Sequence, residues 1–141
     1  MEKEKKSVRV STFTMQKDED GKTEFSTSAE GIMYVKDGGY FIFYTEQDED
    51  GEKMSDGRIT VTKNSVEIKR TGAYSSRLIF EEGKTHKSIY STPYGNMPAV
   101  LKTRKITSAV DSDGGKIILE YIMTVGERTF ENSVTVRIDI R

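Results

Sequence analysis

The stretch Tyr90-Ser91-Thr92-Pro93-Tyr94-Gly95 decides how this chain is read. A strand-like run from Lys87 to Thr92 meets one of only two prolines in 141 residues, then a tyrosine and a glycine. Pro93 has no backbone N–H and a fixed φ, so strand pairing stops or bends there. Gly95 can take the positive φ that such a corner needs.

Outward from this corner the same grammar repeats. Apolar and polar residues alternate, β-branched and aromatic residues abound, and glycine-containing turns interrupt at short intervals. The alternation predicts eight to ten strands, at 8–16, 23–36, 39–46, 57–62, 65–71, 75–80, 84–92, 97–107, 116–125 and 128–140. No connection has room for a crossover helix, so successive strands are expected to pair antiparallel in a meander. An open meander of that width leaves two long edges, and closure into a barrel removes them. The last strand, with Phe130, Val134, Val136, Ile138 and Ile140, is the natural partner of the first. The expected fold is all-β, a single antiparallel meander β-barrel over residues 8–141 after a charged tail at 1–7.

Composition bounds the function. Apolar residues make up 34% and charged residues 32%, which is polar for a globular chain but too regularly patterned for disorder. Lys plus Arg total 22 against 23 Asp plus Glu, a net charge of −1, so nothing favours nucleic acid or an anionic membrane as partner. No apolar run is long enough to span a bilayer, and the start, Met1-Glu2-Lys3-Glu4-Lys5-Lys6, lacks the apolar segment of a signal peptide. Cysteine is absent, which excludes disulfides and thiolate chemistry. Cytoplasmic residence is expected.

The turns set registers, and registers decide which residues share a face. A two-residue turn at Asp37-Gly38 places Val35 opposite Tyr40, Met33 opposite Ile42 and Gly31 opposite Tyr44. Lys63-Asn64 places Val61 opposite Val66, Ile59 opposite Ile68 and Gly57 opposite Arg70. Gly126-Glu127 places Met123 opposite Phe130, Tyr121 opposite Asn132 and Leu119 opposite Val134. Glu81-Glu82-Gly83 suits a hairpin loop with glycine in the left-handed position, which puts Leu78, Phe80, His86, Ser88, Tyr90 and Thr92 on one face. Gly31 and Gly57 stand beside large inward residues, where a missing side chain leaves space. The first strand changes phase between Val8/Val10 and Phe13/Met15, and a bulge near Ser11-Thr12 is expected there.

The inward face carries polar groups as well. Glu46 follows Ile42 and Tyr44, and Arg70 follows Val66 and Ile68. If Glu46 also lies beside Gly57, then Glu46, Gly57 and Arg70 form one row across three strands, and an ion pair over the glycine is expected. Tyr44, Tyr90, Thr103, Tyr121 and Asn132 extend this polar interior. One reading is a satisfied internal network that fixes register. The other is a pocket for a small amphipathic or anionic molecule, with Arg70 and tyrosines at its head group.

On the outer face Ile32, Tyr34, Phe41 and Phe43 form an apolar patch on two paired strands, a candidate homodimer or protein-contact surface unless the N-terminal segment covers it. Catalytic chemistry finds little support. His86 is the only histidine, so neither a His/Cys zinc site nor a convincing Ser–His–acid set is available. Asp18-Glu19-Asp20-Gly21 and Asp48-Glu49-Asp50-Gly51 fail the calcium-loop spacing and read as acidic hairpin tips. No catalytic residue, metal or cofactor is expected, and an enzyme ranks below a binding barrel and a protein-contact module.

With these residues assembled, the chain resembles the YwiB-like family of small bacterial proteins of unknown function. The resemblance runs from Val8 to Ile140. It rests on Tyr44-Thr45-Glu46, Arg70-Thr71-Gly72, Phe80-Glu81-Glu82-Gly83, Tyr90-Ser91-Thr92-Pro93-Tyr94-Gly95, Thr103, Tyr121 and Asn132. The Tyr-x-Thr-Pro-Tyr-Gly element is the most specific of these. The resemblance implies a lipocalin-like (calycin-like) antiparallel barrel in a bacterial cytoplasm. It implies no activity, substrate or catalytic residue.

Overall fold

The computed structural model describes residues 4–47, 50–72 and 75–141, and among these it contains ten strands and no helix. The strands are β1 (Glu4–Asp18), β2 (Gly21–Lys36), β3 (Gly39–Gln47), β4 (Lys53–Val61), β5 (Val66–Gly72), β6 (Ser76–Phe80), β7 (Thr85–Thr92), β8 (Gly95–Asp111), β9 (Gly114–Val125) and β10 (Arg128–Ile140). They form one sheet in the order β6-β5-β4-β3-β2-β1-β10-β9-β8-β7, every ladder antiparallel. β1 lies on β10 without interruption from Val8↔Ile140 to Lys17↔Glu131, the expected union of first and last strands. The Pro93 corner is a two-residue turn between paired Thr92 and Gly95, with Gly95 at φ +126°.

The hairpin registers fall where the turns put them, including Gly31↔Tyr44, Gly57↔Arg70 and Tyr121↔Asn132. Their inward residues build the core. Met33, Ile42, Ile59, Leu101 and Leu119 are fully buried, and Val8, Val10, Ile117 and Ile138 seal one end of the barrel.

Four local features differ from the sequence-based expectation. First, β6 and β7 do not form a hairpin ladder; they are the two edges of the sheet. They meet in a narrow seam, where Ser75 and Ser91 exchange two backbone hydrogen bonds of 2.9 Å and Ser88 Oγ donates to the Arg77 carbonyl at 2.6 Å. The loop between them turns as its glycine suggests, with Gly83 at φ +78°. It is drawn onto β8, however: Gly83 N–H donates to the Thr103 carbonyl and Thr103 N–H to the Lys84 carbonyl. Second, β1 has no bulge, so Thr12, Thr14 and Gln16 keep the inward phase of Val8 and Val10 while Phe13 faces out, 41% exposed. Register shifts fall instead in β8, between Thr103 and Lys105, and in β3, between Glu46 and Gln47. Third, β1 begins at Glu4, and residues 4–7 pair with Val35 to Ile32 of β2. Fourth, Glu46 stands opposite Ser55, so the row containing Gly57 and Arg70 is completed by Tyr44.

The acidic tip at Asp48 and Glu49 and the expected inward side chain of Thr92 lie outside what the structure describes.

Candidate functional site

The sealed end and the open end of the barrel differ in kind. At the open end the registers stack a polar row across five strands: Thr103 opposite Tyr121, Tyr121 opposite Asn132, Asn132 opposite Gln16 and Gln16 opposite Thr23. Between this row and the packed end lies a cavity of about 530 Å³. Its floor is apolar, built by Ile59, Leu78, Phe80, Leu119 and Val136. Its rim carries Arg70, Arg128, Phe25 and Met97, all of them substantially exposed. The barrel is thus a one-ended cup with a greasy bottom and a mixed, hydrogen-bonding mouth.

Arg70 is the centre of the mouth. Its Nε lies 3.1 Å from Glu46 Oε1, the ion pair expected from the sequence, made on a diagonal instead of along one row. The contact is a charge contact off the N–H axis, because neither atom has an aligned hydrogen-bond partner among the described residues. The Arg70 side chain is 43% exposed, whereas that of Glu46 is 19% exposed. The Tyr44 ring lies over Gly57, where an added Cβ would come within 2.2 Å of Cζ. That missing side chain lets the phenol lie over β4, where it and the Arg70 guanidinium interact electrostatically.

Tyr90 of β7 lines the same cavity across the seam and feels the charge of Arg70. Tyr121 lies deeper, with its ring edge-on to Phe80 at 4.9 Å between centroids. Burial raises the pKa of Tyr44, Tyr90 and Tyr121, and the positive charge of Arg70 only partly offsets this. All three phenols are therefore neutral donors at physiological pH. Burial alone would lower the pKa of Arg70, but Tyr44 and Glu46 outweigh it and the net shift is upward, so the guanidinium stays charged.

Of the seven residues singled out in the sequence, Arg70, Tyr44, Tyr90, Tyr121 and Asn132 line the cavity together. Asn132 is buried, and among the described residues its side chain makes one long 3.5 Å bond from Nδ2 to the Phe130 carbonyl. Glu46 touches the cavity through Arg70 alone, and Thr103 is not on its wall. The buried Thr103 hydroxyl has no partner among the described residues, and the backbone of Thr103 anchors the β6–β7 loop. The sequence reading missed Thr12, Thr14, Gln16, Phe25 and Arg128. An uninterrupted period of two from Val8 would have found the first three. Arg128 sits 5.1 Å above the Phe130 ring and bonds Asp18 Oδ2 at 2.5 Å, tying the β9–β10 turn to the β1–β2 turn.

On the outer face, Ile32, Tyr34, Phe41 and Phe43 line a shallow groove of about 470 Å³, with the Tyr34 and Phe43 rings edge-to-face at 5.8 Å. Residues 4–7 run beside this patch as an added strand edge and so do not cover it. No helix among the described residues is long and apolar enough to cross a membrane.

Fold and site together define a ten-stranded, nearly closed antiparallel barrel with one open, tyrosine- and arginine-lined end. The chain belongs to the family described as Domain of unknown function (DUF1934), which it matches over residues 8–138. It is 28% identical over 104 residues to the uncharacterized beta-barrel protein YwiB of Bacillus subtilis, an alignment covering 74% of this chain and 70% of that protein. The crystal structure of that B. subtilis protein superposes with a TM-score of 0.80 at 22% identity, covering 94% of this chain and 92% of the other.

Proposed function

We propose that the barrel is a binding protein for a small amphipathic molecule whose apolar body enters the cup and whose polar or anionic head stays at Arg70. The observation that carries this reading is the one-ended cavity of about 530 Å³, with an apolar floor and a charged guanidinium at its mouth. That volume lies in the range of sites for small ligands. A side-chain-filled barrel would have no such space, so the alternative, a protein-contact or homodimeric module using the Ile32, Tyr34, Phe41 and Phe43 face, accounts for less of what is seen.

Neutral Tyr44, Tyr90 and Tyr121 can only donate to, or weakly accept from, a head group, and Arg70 can only donate. The chemistry therefore favours an acceptor-rich head such as a carboxylate, which competes with Glu46 for the guanidinium.

The test is titration with decanoate and, separately, decanol, read by native mass spectrometry and calorimetry on wild type and Arg70→Met. Decanoate is expected to bind wild type more tightly than the alcohol does, and the variant is expected to lose that preference. A folded Arg70→Met protein that binds decanoate unchanged ends this reading.

A further inference from the structure

β2 is paired on both sides over only part of its length. Its partnership with β3 runs from Lys36↔Gly39 back to Gly31↔Tyr44 and stops there. Its partnership with β1 continues to Gly21. Residues 22–30 therefore form an open strand edge beside the mouth, with no described residue paired to it. At the last paired residue the approach is close: a Cβ added at Gly31 would come within 2.3 Å of the Phe43 carbonyl.

The polarity of this edge follows from the hairpins. In the two-residue β1–β2 turn, Asp18 and Gly21 form the last pair, so odd-numbered residues of β2 direct their N–H and C=O groups to β1. The even-numbered residues Lys22, Glu24, Ser26, Ser28 and Glu30 direct theirs to the open side, just as Ile32, Tyr34 and Lys36 direct theirs to β3. Such a row of free donors and acceptors is a template for another strand.

We propose that this edge pairs with the same edge of a second copy of the chain, antiparallel about a two-fold axis through Ser26. Side-chain charge selects both the partner and the register. An axis at Ser26 sets Lys22 opposite Glu30 twice, with Glu24 opposite Ser28. Moving the axis one residue onward, to Thr27, sets Glu24 opposite Glu30 twice. Moving it two residues back, to Glu24, sets that carboxylate opposite itself. An axis at Phe25 sets Lys22 opposite Ser28 and Glu24 opposite Ser26, which pairs no charges within residues 22–28. Opposite charges facing across an antiparallel pair attract and like charges repel, so of these four registers only that at Ser26 gains attraction, while those at Thr27 and Glu24 are penalised. Lys22 now contacts Glu24 of its own strand at 3.0 Å, and Glu30 contacts Arg9 at 3.9 Å and also Arg141; all these side chains are about half exposed or more, so the exchange of partners needs no buried rearrangement. On the inner side the pairing brings Phe25 against Thr27 of the second copy. Phe25 is 48% exposed and forms part of the cavity rim, so the added strand extends the wall of the cup. A two-fold contact of this kind is self-limiting, using one edge on each copy.

Sedimentation equilibrium on the full chain tests the proposal. Wild type is expected to dimerise, with Lys22→Glu and Glu30→Lys each weakening the dimer by about tenfold or more. The double reversal Lys22→Glu/Glu30→Lys is expected to restore it. Ser26→Pro removes an N–H that points only to the open side, so the variant should fold and be monomeric. Phe43→Ser, on the outer apolar face, should leave the dimer intact. A chain that is monomeric at every concentration overturns the proposal and leaves the edge to a strand of another protein. A dimer indifferent to Ser26→Pro and to the charge reversals overturns it equally.

Discussion

Gly57 shows how one residue shapes the mouth of the barrel. Its absent side chain is the space the Tyr44 ring occupies, and through that ring it sets where Arg70 finds a phenol. The need for a small residue beside large inward ones was legible from the register set by Lys63-Asn64. The identity of the neighbour was not, because the longer β3–β4 connection does not fix its own register, and the strands slip so that Tyr44, not Glu46, faces Gly57. Gly57→Ala is expected to destabilise the protein by about 1–3 kcal/mol, as overpacking does. In a Tyr44→Ala background the same change should cost almost nothing. Urea unfolding of the two single variants and the double variant measures this coupling. Equal costs in both backgrounds would mean that the ring is not what fills the space.

At the scale of elements, turn chemistry carried most of the information. Two-residue hairpins with Asp-Gly, Lys-Asn and Gly-Glu leave no freedom of register, and every inward residue they imply is inward. Where a turn did not dictate the answer, two errors entered. In β1 the apolar residues Phe13 and Met15 suggested a phase change, yet the strand keeps its phase because its inner face borders a cavity that tolerates Thr12, Thr14 and Gln16. Between β6 and β7 a good loop sequence suggested a ladder, yet the loop hydrogen-bonds Thr103 and leaves the two strands meeting at one bridge. That seam has far fewer backbone hydrogen bonds than any ladder in the sheet. Amides of β6 and β7 are expected to exchange with solvent well before those of β9 and β10. Hydrogen-exchange mass spectrometry would reveal the order; seam peptides as protected as β9 would contradict it.

The whole molecule pairs an almost complete barrel with a titratable interior. The phenols of Tyr44, Tyr90 and Tyr121 are held above their ordinary value of 10.0, chiefly by burial. A group whose pKa is raised by folding lends stability that is fully present below its unfolded pKa and lost as pH rises through the folded one. The barrel should therefore hold its stability up to about pH 10 and lose it steeply above that, as ionised phenols are forced into the cup. Phenolate absorbance followed beside denaturant midpoints across the alkaline range would show these residues ionising together with unfolding. Ionisation of all tyrosines near their ordinary value, with no loss of stability, would mean that the cup is wetter than its lining indicates.

The seam also reveals what kind of object the sheet is. Taken from β7 onward through β10, then β1, and so to β6, each strand lies beside its neighbour in a single unbroken walk. The longest-range ladder is β1 on β10, and the Arg141 N–H reaches the Ser7 carbonyl at 2.9 Å. Cyclically permuted to start at β7, the same sheet would be nothing but consecutive nearest-neighbour pairings, with its ends at the one place where the cylinder is barely stitched.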